Sequence, residues 1–166
     1  MSQGVIARRY AKALINLAEE SNDLENTGLH FSNLVKIFCD STELSNVLSD
    51  TKISSKGKQE ILKKVLIKIN TSQLIDKFVR FILFKRRISL IQEIEKAFNF
   101  FLQEKLGRIE AKVTAPYELP KEDVGELEKT ISKYSGKKAS VSVIIDPSII
   151  GGIVTRIGSV VIDGSL

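Results

Sequence analysis

A chain of 166 residues, of which 43% are hydrophobic and 27% charged, has the length and composition of one or two globular domains. A single cysteine, Cys39, excludes an intramolecular disulfide framework, and no apolar run reaches the roughly 18 residues that a membrane-spanning helix requires. The net charge is +5, and the excess of lysine and arginine falls in residues 51–105, which favours an acidic partner, whether protein, lipid or nucleic acid.

The first two thirds of the chain predict helices separated by short polar breaks. Apolar residues recur at the helical period, and hydroxyl side chains precede several of these segments at the N-cap position. Gly107 follows the last segment, where a glycine commonly ends a helix. The predicted helices cover residues 4–20, 24–38, 42–49, 55–69, 72–85 and 89–106, with N-caps at Ser41 or Thr42, Ser54 or Ser55, Thr71 or Ser72, and Ser89.

Beyond Gly107 the apolar pattern changes to a period of two. Residues 108–115 alternate between polar and apolar side chains, which indicates a half-buried strand. Pro120 opens a predicted helix that runs to about Lys133. Residues 140–145 alternate again and predict a second strand.

The last segment of the chain predicts a β-hairpin. Two short runs rich in β-forming residues, 153–157 and 160–162, flank Gly158-Ser159, and a glycine in this turn supplies a positive φ at no steric cost. The sequence therefore predicts an α+β fold. It consists of a six-helix bundle over residues 1–106 and a small C-terminal α/β domain with a β-hairpin over residues 107–166.

The first and fifth predicted helices have more apolar surface than a single core requires. Their apolar side chains each fill an arc of roughly 200°, whereas a helix that faces one core needs about 100°. One interpretation is that both helices lie at the centre of the bundle. The other is a groove between them that receives an apolar helix of another protein. In such a groove Ala7, Ala11 and Ala13 would permit close approach, and the larger side chains of Tyr10 and Phe81 would anchor the guest helix.

The sequence offers no set of catalytic or metal-binding side chains. His30 is the only imidazole and Cys39 the only thiol, so neither a zinc site nor a Cys-His pair can be assembled. Cys39 follows Phe38 on the apolar side of a helix end, where we expect it to be buried. The spacing from Gly152 to Gly158 does not fit a phosphate-binding loop. The sequence therefore predicts a protein that is not an enzyme and that binds no cofactor or metal.

Three basic clusters leave a basic helical RNA-binding protein as the alternative function. The aromatic residues near these clusters lie on an apolar helix and are not interleaved with the basic residues, which favours a solvated basic face instead. The clusters are Lys56 with Lys58, Lys63 with Lys64, and Lys85 with Arg86 and Arg87.

Both ends of the chain carry motifs that point to one family. Near the N-terminus, Ala7, Tyr10, Ala11 and Ala13 form an Ala-x-x-Tyr-Ala-x-Ala pattern. Near the C-terminus, a Gly-Gly pair is followed by an arginine, a glycine and Asp-Gly-Ser. With both motifs in place, the sequence resembles the delta subunits of bacterial F-type ATP synthases, a family related to the mitochondrial oligomycin-sensitivity-conferring protein. The C-terminal motif residues are Gly151, Gly152, Arg156, Gly158, Asp163 and Gly164.

This resemblance implies a stator subunit that performs no catalysis. In the family, the helical domain holds the N-terminal segment of an alpha subunit of the catalytic head with its first and fifth helices, and the C-terminal domain contacts the b subunits of the peripheral stalk. Such a link resists the torque that proton-driven rotation exerts on the head. The alpha-binding positions implied here are Ala7, Tyr10, Ala11 and Ala13 by motif and Phe81 by a looser alignment, with Leu14, Phe78 and Ile82 beside them.

The resemblance also sets expectations for location and for the chain end. It implies a peripheral protein on the cytoplasmic face of the bacterial inner membrane, attached only through the complex, with no cofactor and no nucleic acid. The family usually continues beyond Asp-Gly-Ser with an Arg-rich amphipathic helix, whereas this sequence ends at Leu166, so the head contact is better supported than the b contact. Two roles stay open for Arg156: pairing with Asp163 across the hairpin, or facing the b chains.

Overall fold

The computed structural model describes residues 2–158 and 160–164, which form a helical region followed by a four-stranded sheet. The predicted α+β class is therefore confirmed. Contacts between Cα atoms divide the chain into two compact units, Met1–Leu102 and Gln103–Leu166. This division falls about one helical turn before the boundary predicted at Gly107.

The helical unit follows the predicted helices to within two residues at each end. Three of these helices begin at a hydroxyl cap, because the side-chain oxygens of Ser41, Ser54 and Ser72 each accept the backbone N–H three residues further on, at 3.2, 3.1 and 3.4 Å. In the described part of the unit the helices are α1 (Gln3–Glu20), α2 (Leu24–Asp40), α3 (Thr42–Ser49), α4 (Ser55–Lys68), α5 (Gln73–Phe84) and α6 (Ile91–Lys105).

The predicted N-cap at Ser89 is wrong. Ser89 lies inside a short 3-10 helix, Ile88–Leu90, that precedes α6. The chain turns sharply after α5, where Arg86 adopts the left-handed conformation with φ of 56°. Ile88 and Ile91, on either side of Ser89, are both buried, whereas Ser89 itself is exposed.

Three phenylalanine rings meet in the core of the helical unit, among many buried aliphatic side chains. Phe31 of α2 meets Phe78 of α5 and Phe98 of α6 in edge-to-face arrangements, with ring centroids 5.7 and 5.8 Å apart. Gly28 permits α2 to approach α6 closely, since a Cβ atom at this position would lie 2.7 Å from Cδ2 of Leu102. Helices α2, α5 and α6 therefore share one tightly packed core.

The C-terminal unit contains β1 (Arg108–Ala115), α7 (Lys121–Ser135), β2 (Lys138–Ile145), β3 (Val154–Ile157) and β4 (Val160–Asp163). The strand order is β2-β1-β3-β4. Strands β1 and β2 are parallel and are joined through α7, whereas β1 with β3 and β3 with β4 pair antiparallel. Strand β4 therefore lies at one edge of the sheet.

The core of the C-terminal unit is small. The alternation of β1 buries Ala111, Val113 and Ala115, as the period of two predicts. Helix α7 contributes one buried apolar side chain, Ile131, among the described residues. The buried cluster between α7 and the sheet consists of Ala111, Ile131 and Ala139, with Ile109, Val141 and Ile157 packed against it and partly exposed.

Candidate partner-binding surface

Helices α1 and α5 place two aromatic rings side by side at the surface of the helical unit. The ring of Tyr10 meets the ring of Phe81 edge-to-face, with centroids 6.2 Å apart. Tyr10 is half-buried, whereas Phe81 is 47% exposed and Phe84, three residues further along α5, is 67% exposed. The Nζ atom of Lys85 lies 5.4 Å from the centroid of Phe81 and 5.6 Å from that of Phe84. These four residues form what we call the aromatic patch.

The exposure of this patch follows from the width of the apolar arc on α5. Ile75, Val79 and Ile82 have no measurable exposure and face the core. Phe81 lies at the edge of the same arc and Phe84 about 60° beyond it, and both side chains are exposed. Most of the arc therefore faces the core of the unit, and the arc ends at the exposed ring of Phe81.

The eight predicted alpha-binding residues fall into two groups. Three have surface available to a partner: Ala13 and Phe81 are exposed, and Tyr10 is half-buried. The other five are buried in the interior of the helical unit. They are Ala7, Ala11, Leu14, Phe78 and Ile82.

Sequence reasoning missed three exposed residues near Ala13 and Phe81. Phe84 and Lys85 lie three and four residues after Phe81, and Leu17 lies four residues after Ala13. Spacings of three and four place side chains on the same face of a helix, so this periodicity could have found them. Leu17 and Phe84 extend the exposed apolar surface of the two helices, and Lys85 adds a positive charge beside the rings.

The glycines of the C-terminal motif serve the backbone of the sheet. Gly152 and Gly158 adopt positive φ values of 78° and 58°, as predicted for Gly158. The N–H of Gly164 donates to the carbonyl oxygen of Ile153 at 3.0 Å, and a Cβ atom on Gly164 would lie 3.2 Å from that oxygen. These contacts tie the end of β4 to the start of β3. Ser159, the second residue of the predicted turn, lies outside the described residues.

The sheet register places Arg156 and Asp163 in different cross-strand pairs. Arg156 lies opposite Lys112 on β1 and opposite Val161 on β4, whereas Asp163 lies opposite Val154. Within residues 2–158 and 160–164, Arg156 makes no ion pair. Its guanidinium therefore adds positive charge next to Lys112 on the exposed face of the sheet.

Two further polar groups, Cys39 and Asp146, have local hydrogen-bond partners. Cys39 was expected to be buried, and this prediction is wrong: its side chain is exposed, and Nε2 of Gln92 lies 3.1 Å from its sulfur. The hydroxyl and the backbone N–H of Ser148 both hydrogen-bond to the carboxylate of Asp146 and lower its pKa. Among the described residues, no three His, Cys, Asp or Glu side chains are grouped as a metal site requires.

The fold and its surfaces define a two-unit binding protein. None of the helices in the described ranges has both the length and the apolar character needed to cross a membrane. The family model of the ATP synthase delta (OSCP) subunit matches residues 6–166. The ATP synthase subunit delta of Citrifermentans bemidjiense is 32% identical over 100% of this chain and 92% of its own length. The ATP synthase subunit delta of Desulforamulus reducens is 34% identical over 100% of this chain and 91% of its own length.

A solved structure shows the same fold. A chain in the mitochondrial ATP synthase hexamer of Toxoplasma gondii superimposes with a TM-score of 0.75 at 15% identity, covering 96% of this chain and 90% of that one. The chain belongs to the ATP synthase delta (OSCP) subunit family. It is a structural stator component of the F-type ATP synthase and not a catalyst, which decides against the RNA-binding alternative.

Proposed function

We propose that the helical unit binds the N-terminal helix of an alpha subunit through the aromatic patch, and that the C-terminal unit contacts the b subunits of the peripheral stalk. The observation that carries this proposal is the exposure of Phe81 and Phe84 beside Tyr10. Exposed aromatic side chains are enriched at protein interfaces relative to the rest of the surface. The proposed location is peripheral, on the cytoplasmic face of the bacterial inner membrane, with attachment through the complex alone.

The alpha-subunit helix would bind by lying along α1 and α5. Ala13 has a short side chain and is exposed, so a guest helix can approach α1 closely at this point. Leu17 and Phe84 continue the exposed apolar surface on α1 and α5 respectively. The buried residues Ala7 and Ala11 then support the binding surface from below.

The b-subunit contact is proposed for the edge of the sheet. Val160, Val161 and Ile162 of β4 are all exposed, and an edge strand also has backbone groups free to pair.

We also propose three finer features of the architecture. The helices of residues 1–106 act as one six-helix bundle, the functional boundary lies at Gly107, and β3 and β4 form a β-hairpin.

A link of this kind has to bind tightly although it performs no chemistry. Rotation of the central shaft exerts a torque on the catalytic head, and the link carries that torque to the stalk. Two separate contacts raise the effective concentration of each once the other is made, so each contact alone can be moderate in affinity.

The proposal is tested by titrating the 166-residue chain with a peptide of the alpha subunit's N-terminus. We expect Phe81→Ala to weaken binding by about 2 kcal/mol, or roughly thirtyfold in dissociation constant. Phe100→Ala is the matched control, because Phe100 is 54% exposed but lies on α6 beside Arg8. Apolar docking should persist at about 0.5 M salt, whereas binding that depends on phosphate contacts is lost. Equal binding by both variants would contradict the patch assignment.

A further inference from the structure

The aromatic patch contains a cation that the helical unit itself does not neutralise. The ammonium group of Lys85 lies over the rings of both Phe81 and Phe84, at 5.4 and 5.6 Å from their centroids. Lys77, four residues before Phe81, is exposed and falls on the same side of α5. Within residues 2–158 and 160–164, neither lysine makes an ion pair. The apolar rings on α5 are thus bracketed by two positive charges.

The acidic side chains of α1 and α5 do not serve as counter-ions for Lys85. Asp76 is the only acid on α5, and its two carboxylate oxygens accept hydrogen bonds from Arg80 at 2.9 and 3.0 Å. The acids of α1, Glu19 and Glu20, lie at its C-terminal end, about 14 Å along the helix from Tyr10. In the free protein Lys85 is stabilised by water and by the faces of the two rings instead.

A partner that covers Phe81 and Phe84 changes this balance. It removes water from the ammonium group of Lys85, and an ammonium group loses a large hydration free energy on desolvation unless an opposite charge replaces the water. Ring faces compensate only part of that loss. A guest helix that is apolar on every side would therefore bury the ammonium group of Lys85 without an opposite charge, and this would weaken its binding.

We propose that the helix bound by the aromatic patch presents a carboxylate to Lys85. This inference rests on the proposed function and specifies the chemistry of the partner: an amphipathic helix with an Asp or Glu beside its apolar stripe, placed to reach the α5 end of the patch. The aromatic rings supply the contact area. The pair between the carboxylate and Lys85 fixes the position and direction of the guest helix, because an opposite charge at one point of an otherwise apolar surface selects one register.

The test uses the 166-residue chain and two peptides of about 20 residues from the N-terminus of the alpha subunit of the same synthase. One peptide is native, and in the other each Asp is replaced by Asn and each Glu by Gln. Lys85→Met removes the charge while keeping the length of the side chain, and Lys85→Glu reverses it. Lys36→Met, at an exposed lysine of α2, is the control for the change in net charge. Circular dichroism confirms that each variant is folded.

We expect Lys85→Met to weaken binding of the native peptide by about threefold to tenfold and Lys85→Glu by about thirtyfold or more. Lys36→Met should bind like the wild type. The amide peptide should bind the wild-type chain more weakly than the native peptide does, by a similar factor. It should bind Lys85→Met as well as the native peptide does, because the amide substitutions and Lys85→Met remove the same interaction. Salt should weaken the wild-type complex by no more than the factor lost in Lys85→Met, and it should weaken the Lys85→Met complex less.

Two results would overturn the inference and leave the proposed function intact. One is native-peptide binding by Lys85→Met that equals the wild type. The other is that replacing the carboxylates of the peptide by amides lowers the affinity equally for the wild-type chain and for Lys85→Met. Additive effects of this kind would show that Lys85 and the carboxylates do not interact. If the wild-type chain does not bind the native peptide at all, the proposed function itself is wrong and this inference is wrong with it.

Discussion

The two units of the chain differ in how they bury apolar surface. The helical unit has an interlocked aromatic core, in which Phe31, Phe78 and Phe98 meet edge-to-face. The C-terminal unit instead relies on small side chains, with Ala111 and Ala139 at the centre of its buried cluster. A core of large rings removes far more apolar surface from water than one of alanines, so the helical unit should be the more stable of the two.

The units also differ in what they expose. In the helical unit, the ring of Phe81 is exposed where it meets Tyr10, and the other exposed large apolar side chains of α1 and α5 are Val5, Leu17 and Phe84. In the C-terminal unit the whole of β4 is exposed, together with Ile144 and Ile145 at the end of β2. The helical unit therefore buries a large core of its own, whereas the C-terminal unit leaves much of its apolar surface exposed.

The largest expected effect concerns the aromatic core. Phe98→Ala removes a fully buried ring from α6, and we expect it to lower the free energy of unfolding by about 3–5 kcal/mol. Phe100→Ala, two residues further along the same helix, removes an exposed ring and should cost less than about 1 kcal/mol. Denaturant unfolding of both variants measures the difference. Equal losses would mean that the core is not the source of stability in this unit.

The next effect concerns the surface of the helical unit. Ala13 is exposed and lies in the middle of α1, so Ala13→Glu should leave the fold intact. The added carboxylate blocks the close approach of a guest helix, and we expect peptide binding to fall by about a hundredfold or more. Calorimetric titration gives the affinity, and the unfolding midpoint gives the fold control. Unchanged affinity with unchanged stability would place the partner elsewhere on this unit.

A smaller effect is expected in the C-terminal unit. Gly158 has a φ of 58° in the connection between β3 and β4, where a β-branched residue is strained. We expect Gly158→Val to destabilise this unit by about 1–3 kcal/mol, and Gly158→Asn by less, because Asn tolerates the left-handed conformation. The rate of hydrogen exchange at the β3 and β4 amides measures the local loss of stability. If Val and Asn behave alike, backbone strain is not the reason for the glycine.

The smallest effect is expected when the two units are separated. Since each unit has its own buried cluster, residues 1–106 alone should keep helical circular dichroism and a cooperative transition within about 1 kcal/mol of that in the full chain. Limited proteolysis of the full chain should also leave a fragment of this size. A predominantly β spectrum, or loss of cooperative unfolding, would show that the helical unit needs the second unit to fold.

The sequence by itself determined the local structure and the family. Hydroxyl caps at Ser41, Ser54 and Ser72 and the period-two pattern of β1 depend on residues a few positions apart, so they are visible without a fold. The terminal motifs likewise sufficed to indicate the delta family, which the family model confirms. The mixed class followed from the change of period at Gly107.

Only the tertiary structure decided which apolar side chains are buried and which are exposed. Phe81 and Ile82 belong to one apolar arc of α5, but the fold buries Ile82 and leaves Phe81 in solvent. The same reason explains the wrong expectation for Cys39, whose exposure depends on where other helices lie. Helical periodicity defines a face, whereas burial depends on contacts between residues far apart in the chain, so the position of Lys85 over two rings became visible only in the folded protein.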